Sequence, residues 1–281
     1  MSKTKTIKIK IPRLDRFLIN YNGNKYNETK KYLIPLIPDI NKYDLICEPY
    51  CGIFGFSRAL MENNLNNFKG EIWLNDYDET VINMLKQVRD FTEEDIKKYL
   101  ALIDTYETNE KLTQDKQKPL ILARICQTIN IHLMGKDKGK TKLNNYHQKF
   151  NEYKLFFNKV KFFNLIDSDF LKLIKDSGKK ALIFFDPPYF NSSNKGYHKL
   201  NFNYNELEYQ DGTTLYLNIF EMFKHDDKNT LIFIMNRLDI INYVFKEYLI
   251  KEIKGTYGNT NLRQKTNFKS LKWHMIYAKN I

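Results

Sequence analysis

The sequence predicts an α/β fold: an open sheet covered on both faces, with its functional residues at the carboxyl ends of the strands. Three observations lead there. The apolar run Ala181-Leu182-Ile183-Phe184-Phe185 is short, continuous and bounded by polar residues, the pattern of a strand buried on both faces. A stretch of strand character from Tyr43 to Cys47 passes through a glycine turn, Glu48-Pro49-Tyr50-Cys51-Gly52-Ile53-Phe54-Gly55-Phe56, into a helix from about Ser57 to Asn63. A further strand, Glu71 to Asp76, then ends in a carboxylate roughly 20 residues beyond the turn.

Strand, glycine turn, helix and acidic strand end form the first unit of a Rossmann-like nucleotide fold. In that fold glycine lets a ligand approach the backbone, the helix N-terminus faces it, and the carboxylate takes a ribose hydroxyl pair. Ahead of this unit, the first dozen residues are basic with alternating Ile7, Ile9 and Ile11, an edge strand or a loose arm. Tyr21-Asn22-Gly23-Asn24-Lys25 is a turn-rich knot before a helical segment from Glu28 to Ile37, which Pro38-Asp39 closes. Behind it, Val81, Met84, Leu85 and Val88 recur at helical spacing and mark a core stripe.

Residues 89–159 change character and read as an inserted, mainly helical subdomain, dividing a main domain of residues 1–88 and 160–281. Helical segments are expected from Asp95 to Tyr106 and from Leu120 to Met134. Between Gly135 and Lys142, lysines alternate with glycine and polar residues. This run reads either as a solvated loop or as a loop tracking phosphates, with Arg124, Lys138, Lys140 and Lys142 as the candidate contacts and Tyr146, His147 and Lys149 nearby. A strand from Val160 to Asn164 leads to a polar stop and helix start at Asp167-Ser168-Asp169-Phe170. Residues 190–213 are polar and unpatterned, as a substrate-side loop would be. A helix from Thr214 to Phe223, a strand from Thr230 to Met235, a helix reaching Tyr248 and a strand from Lys272 to Lys279 complete the chain.

Composition narrows the class of partner. The 281 residues carry 45 Lys+Arg against 33 Asp+Glu, a net charge of +12 that suits a polyanion such as nucleic acid. Hydrophobic content of 42% and aromatic content of 15% belong to a folded globule. Three cysteines and five histidines show no metal-ligand spacing, so no metal site is expected. The odd cysteine count, the absence of a membrane-spanning stretch and a start without a signal-peptide core predict an intracellular protein with free thiols.

The chemistry concentrates in Asp186-Pro187-Pro188-Tyr189. Neither proline can donate to a ladder, so the strand ends there and presents Asp186 and Tyr189 at its carboxyl end. An exocyclic amine on a planar base is a poor nucleophile, because its lone pair is delocalised into the ring. A carboxylate accepting one N–H and a proline carbonyl accepting the other would draw the nitrogen toward a tetrahedral shape. Tyr189 offers a flat face on which an extruded base can stack. Taken alone, the tetrapeptide also fits, as the lesser reading, a turn that merely ends a strand.

With Tyr21 and Lys25, Glu48-Pro49-Tyr50-Cys51-Gly52, Asn75-Asp76, Asp169-Phe170 and Asp186-Pro187-Pro188-Tyr189 in this order, the chain resembles the Dam-type (alpha-class) DNA adenine-N6 methyltransferases. The likeness covers nearly the whole chain and is firmest over residues 17–88 and 160–190. It implies a Rossmann-like methyltransferase sheet with a target-recognition insert, S-adenosylmethionine as cofactor and double-stranded DNA as partner. It further implies catalysis by Asp186, Pro187 and Tyr189. Cofactor contacts would come from Tyr21, Lys25, Glu48, Gly52, Asp76, Asp169, Phe170 and Asp186, with Asp169 and Phe170 meeting the adenine. A restriction endonuclease partner is compatible with such an enzyme.

Two departures qualify the likeness. The family's Gly-x-Gly turn stands here as Gly52-Ile53-Phe54-Gly55, so Phe54 occupies the second glycine's place, with altered cofactor affinity as the expected consequence. The insert has no Phe-Asn-Val-Pro segment; Lys140 to Tyr146 stands there, and the family's GATC target is not carried over. Two other readings stay open: a DNA-binding protein of the same fold without turnover, and amine methylation of another base or of RNA. The aspartate that begins the tetrapeptide argues against the last, since cytosine-N4 enzymes commonly carry serine there and ribosomal-RNA adenine enzymes asparagine.

Overall fold

Among the described residues seven strands form, most of them from the apolar runs: β1 (Leu45–Glu48), β2 (Glu71–Asn75), β3 (Val160–Phe163), β4 (Ala181–Phe185), β5 (Thr230–Asn236), β6 (Leu249–Thr256) and β7 (Leu271–Lys279). The computed structural model describes residues 25–37, 39–62, 64–115, 117, 135–188, 212–256 and 271–281. All seven strands join one sheet in the order β3-β2-β1-β4-β5-β7-β6. β1 to β5 run parallel, with Ile46 opposite Ile72 on one side and Leu182 on the other. β7 enters antiparallel between β5 and β6.

Period-2 alternation divides the core between the two faces. Ile46, Leu182, Phe184, Ile232 and Ile234 join one cluster, while Leu45, Ala181, Ile183, Phe185, Leu231 and Phe233 join the other. On the first face lie helices α1 (Gly55–Met61), α2 (Glu79–Arg89), α3 (Glu93–Thr105), α4 (Asn109–Gln114) and α5 (Lys136–Phe157). On the second lie α6 (Asp167–Asp176), α7 (Gly212–His225) and α8 (Asp239–Val244). The result is a mixed α/β structure, mostly parallel and flanked by helices, compatible with a Rossmann-like arrangement. Strand order reverses between β1 and β4, which makes their carboxyl ends the switch point where such sheets bind ligands.

Local signals behave as their chemistry dictates. Asp78 caps α2 by accepting the Thr80 N–H, and Val81, Met84, Leu85 and Val88 are buried as the stripe requires. Thr92 and Asp95 form a reciprocal capping box at the start of α3.

Two elements differ from the sequence expectation. The lysine run is not a loop: it forms the first turns of α5, a helix of 22 residues. Gly135, at φ +83, is the N-cap, and Gly139 continues the helix by donating its N–H to the Gly135 carbonyl. Glycines suggest a loop, but lysine is a good helix former and tertiary packing decides marginal helices. Leu143, Tyr153, Phe156 and Phe157 bury this helix against the first face. β6 has no counterpart in the sequence expectation, because its Lys, Glu and Gly residues are poor strand formers. As the outer strand it carries charges in the manner of a protected edge, burying Ile253 while Ile250 stays exposed.

The basic N-terminal arm, the segment from Leu120 to Met134 and residues 190–211 of the stretch expected as a loop over 190–213 lie outside the described residues, while residues 212 and 213 begin α7. Among the described residues, no helix is long and apolar enough to cross a membrane.

Candidate active site

β1 delivers the first carboxylate. Its four residues are all buried, and Pro49 ends it for want of an N–H. Glu48 is 2% exposed, and its Oε1 accepts the Ser57 N–H at 2.7 Å, tying the strand end to the first turn of α1. Burial pushes the Glu48 carboxyl up to about 7. The hydrogen bonds from Ser57 and the Arg58 charge oppose that shift, and the Asp186 carboxylate adds to it.

The turn after Glu48 needs two left-handed residues, Gly52 at φ +48 and Phe54 at φ +44. Phe54 donates its N–H to the Cys51 carbonyl at 2.6 Å. A bulky residue rarely takes this conformation, and the placement of its ring accounts for it. The ring is fully buried on the first face, stacked on Phe156 at 5.1 Å and edge-on to Tyr153 and Phe157. Gly52 has no side chain to crowd the turn, and its N–H is already directed at a carboxylate.

That carboxylate is Asp76, delivered by β2. Its Oδ2 accepts the Gly52 N–H at 2.9 Å and its Oδ1 accepts the Asp78 N–H at 3.0 Å. Burial pushes it up to about 7, against the two N–H bonds and with the help of the Asp78 charge. A carboxylate offers about four lone-pair sites, so these bonds do not exhaust it. The preceding residue braces the loops around it: Asn75 Nδ2 donates to the Pro49 and Leu165 carbonyls at 3.0 Å each, while its Oδ1 accepts the Leu165 N–H at 2.9 Å.

β4 delivers Asp186, on the other side of β1. Lys25 Nζ lies 2.9 Å from Asp186 Oδ2, with side-chain exposures of 4% and 15%. Lys25 is held there by its own segment, a short helix at Tyr26–Glu28 that widens through Thr29–Leu33, where the Ile34 N–H reaches back to the Thr29 carbonyl. The Tyr26 hydroxyl donates to Glu62 Oε2 at 2.7 Å, and the Arg58 guanidinium sits 4.7 Å from the Tyr26 ring centre, fastening the segment to α1. Three carboxyl groups, Glu48, Asp76 and Asp186, thus surround the switch point, with Lys25 paired to one of them.

The remaining expected residues divide. Asp169 is exposed on the first turn of α6. Phe170 is fully buried against Trp73 and Phe163, and its N–H donates to the Ile166 carbonyl. The residue drawn inward from that stretch is Asp167, whose Oδ2 accepts from Asn218 Nδ2 at 3.1 Å and from the Tyr50 hydroxyl at 3.4 Å. Pro187 is buried, and the Pro188 carbonyl accepts the Tyr216 hydroxyl at 2.8 Å. Nothing in the sequence singles out Tyr216 or Asn218. Lys138 is exposed on α5, and Lys140 pairs with Asp104 of α3. Tyr21, Arg124 and Tyr189, and the side chain of Lys142, lie outside the described residues. Among the described residues, no cluster of His, Cys, Asp or Glu is arranged to hold a metal ion.

The sequence matches no known family model, and no curated protein matches it.

Proposed function

We propose that this chain transfers a methyl group from S-adenosylmethionine to the N6 amine of adenine in DNA. The observation that carries this reading is the Lys25–Asp186 pair, 2.9 Å apart, at the strand end next to the Gly52–Asp76 contact. Residues distant in the sequence, and marked by the family resemblance, converge on the switch point of one sheet.

The cradle suits the cofactor. Asp76 retains acceptor capacity for ribose hydroxyls beside a glycine turn, and a positively charged ligand near Glu48 would draw its raised carboxyl into the ionised form. S-adenosylmethionine supplies a methyl group made electrophilic by a positively charged sulfur. The protein's own part is positioning. The Asp186 carboxylate and the Pro187 carbonyl accept the two N–H groups of the target amine and aim its lone pair. Lys25 fixes the orientation of Asp186 and balances its charge. Tyr189 stacks on the extruded base. The net charge of +12 and the lysine-rich start of α5 support a nucleic-acid substrate.

The alternative without turnover depends on Phe54 replacing a glycine. Its ring is housed in the core and Gly52 still meets Asp76, so the turn gives that alternative no support.

Radiolabelled methyl transfer to unmethylated DNA, followed by nucleoside analysis, tests the proposal. Label should appear in N6-methyladenine with the wild type and vanish with Asp186→Ala while the variant stays folded. Label in another base, or only in RNA, would reject the substrate; undiminished transfer by Asp186→Ala would reject the site.

A further inference from the structure

The segment Pro187-Pro188 is stiff in all but one respect. Each ring fixes its own φ, and Pro187, preceding a proline, is restricted in ψ as well. The ψ of Pro188 is the one soft dihedral left between Asp186 and residue 189, and it sets the direction of the Pro188 carbonyl. That carbonyl accepts the Tyr216 hydroxyl at 2.8 Å.

Tyr216 is well placed to hold it. The residue is 8% exposed, and its ring lies against Phe233 of β5, 6.2 Å between centres. One half-turn on, Asn218 donates to Asp167 at 3.1 Å, so the start of α7 is also fastened to the first residue of α6. The turn is thereby gripped from both faces of the sheet, by Lys25 at Asp186 from the first and by Tyr216 at Pro188 from the second.

We infer that Tyr216 is a positioning residue: its hydroxyl fixes the rotation of the Pro188 peptide and so holds the carboxyl-terminal end of the turn, the point from which Tyr189 follows in the sequence, in one orientation. The geometry stands by itself; the kinetic consequence rests on the methyl-transfer reading.

Tyr216→Phe removes the hydroxyl and keeps the ring against Phe233. Hydrogen exchange of a peptide spanning residues 184–190 should quicken severalfold, read at the amides of Phe185, Asp186, Tyr189 and Phe190, with no change across β5. In the same variant kcat should fall about 3- to 10-fold, as loss of one hydrogen bond implies, with KM for S-adenosylmethionine unchanged. Leu217→Ala, at a neighbouring exposed position (54%), should change neither quantity. Unaltered exchange in Tyr216→Phe overturns the inference, as does faster exchange throughout the sheet with a lowered Tm, which would make Tyr216 merely structural. An unchanged kcat in an active enzyme also overturns it. If the wild type transfers no methyl group, the function proposed above falls while the exchange measurement still decides the role of Tyr216.

Discussion

Lys25 and Asp186 form a buried ion pair, Nζ to Oδ2 2.9 Å, that joins the beginning of the described chain to the end of the central strand β4. Removing one member of such a pair leaves the other charge buried without its counter-ion, at a cost of about 3–5 kcal/mol. Asp186 retains 15% exposure, so Lys25→Met should fall at the lower end of that range. The double variant Lys25→Met/Asp186→Asn should be less destabilised than the two single changes added together. Urea unfolding of the four proteins measures this coupling. Strict additivity would mean that the pair contributes nothing as a pair.

Glu48 and Asp76 make stability depend on pH in a definite direction. Both carboxyls are raised to about 7 in the folded protein, from 4.5 and 3.8. The folded state therefore binds more protons than the unfolded state between roughly pH 4 and 7. Their contribution is full below the unfolded values and is lost as pH rises through 7. Glu48→Gln keeps an acceptor for the Ser57 N–H and removes the ionisation. It should be more stable than the wild type at pH 8, by about 1–3 kcal/mol, and gain nothing at pH 4. Thermal unfolding at the two pH values checks the sign; an equal difference at both would show that Glu48 does not titrate in this window.

Much of this site is legible in the sequence because it is built from strand ends. Apolar runs locate β1, β2 and β4, and the acidic residues at their carboxyl ends, Glu48, Asp76 and Asp186, have to emerge at the same edge of a parallel sheet. The rest depends on side chains arriving from elsewhere. Tyr216 and Asn218 sit in an ordinary amphipathic helix whose pattern says only that one face is buried. Asp167 and Asp169 are two residues apart, and only packing against Tyr50 and Asn218 distinguishes them. The start of α5 departs from its local pattern for the same reason, since it is carried by a helix that Leu143 and the aromatic anchors Tyr153, Phe156 and Phe157 downstream bury against the sheet.

Phe54 separates a structural ring from a binding role. Phe54→Gly would relieve a left-handed conformation worth about 1–2 kcal/mol but would empty a site whose loss costs about 3–5 kcal/mol. The net expectation is destabilisation by roughly 1–4 kcal/mol, with little change in affinity for S-adenosylmethionine. Asp76→Ala should do the reverse at the ligand, weakening it roughly 10- to 100-fold through lost charge-assisted bonds. Calorimetry on both variants distinguishes them. A markedly tighter complex in Phe54→Gly would place the ring in the cofactor's way after all.

The lysines that begin α5 carry the last prediction. Cations at a helix N-terminus oppose the macrodipole, so Lys138, exposed within the first turn, disfavours its own helix by about 0.3–1 kcal/mol at low salt. Lys140 is compensated by Asp104 of α3. If these lysines meet DNA phosphates, each contact releases counter-ions, and the log–log dependence of affinity on salt steepens by about 0.9 per phosphate. Changing Lys138, Lys140 and Lys142 to Gln should then flatten the slope and weaken binding alike on all sequences, because phosphate contacts position a protein without reading bases. Lys138→Gln alone should flatten it more than Lys140→Gln, whose ammonium already has a carboxylate partner. The same Lys138→Gln change should make the free protein slightly more stable. Opposite movement of stability and DNA affinity is what a binding role predicts and a solvated helix end does not. A salt titration of duplex binding, run beside thermal unfolding of the same variants, decides it: parallel slopes for wild type and triple variant would return these lysines to the solvent.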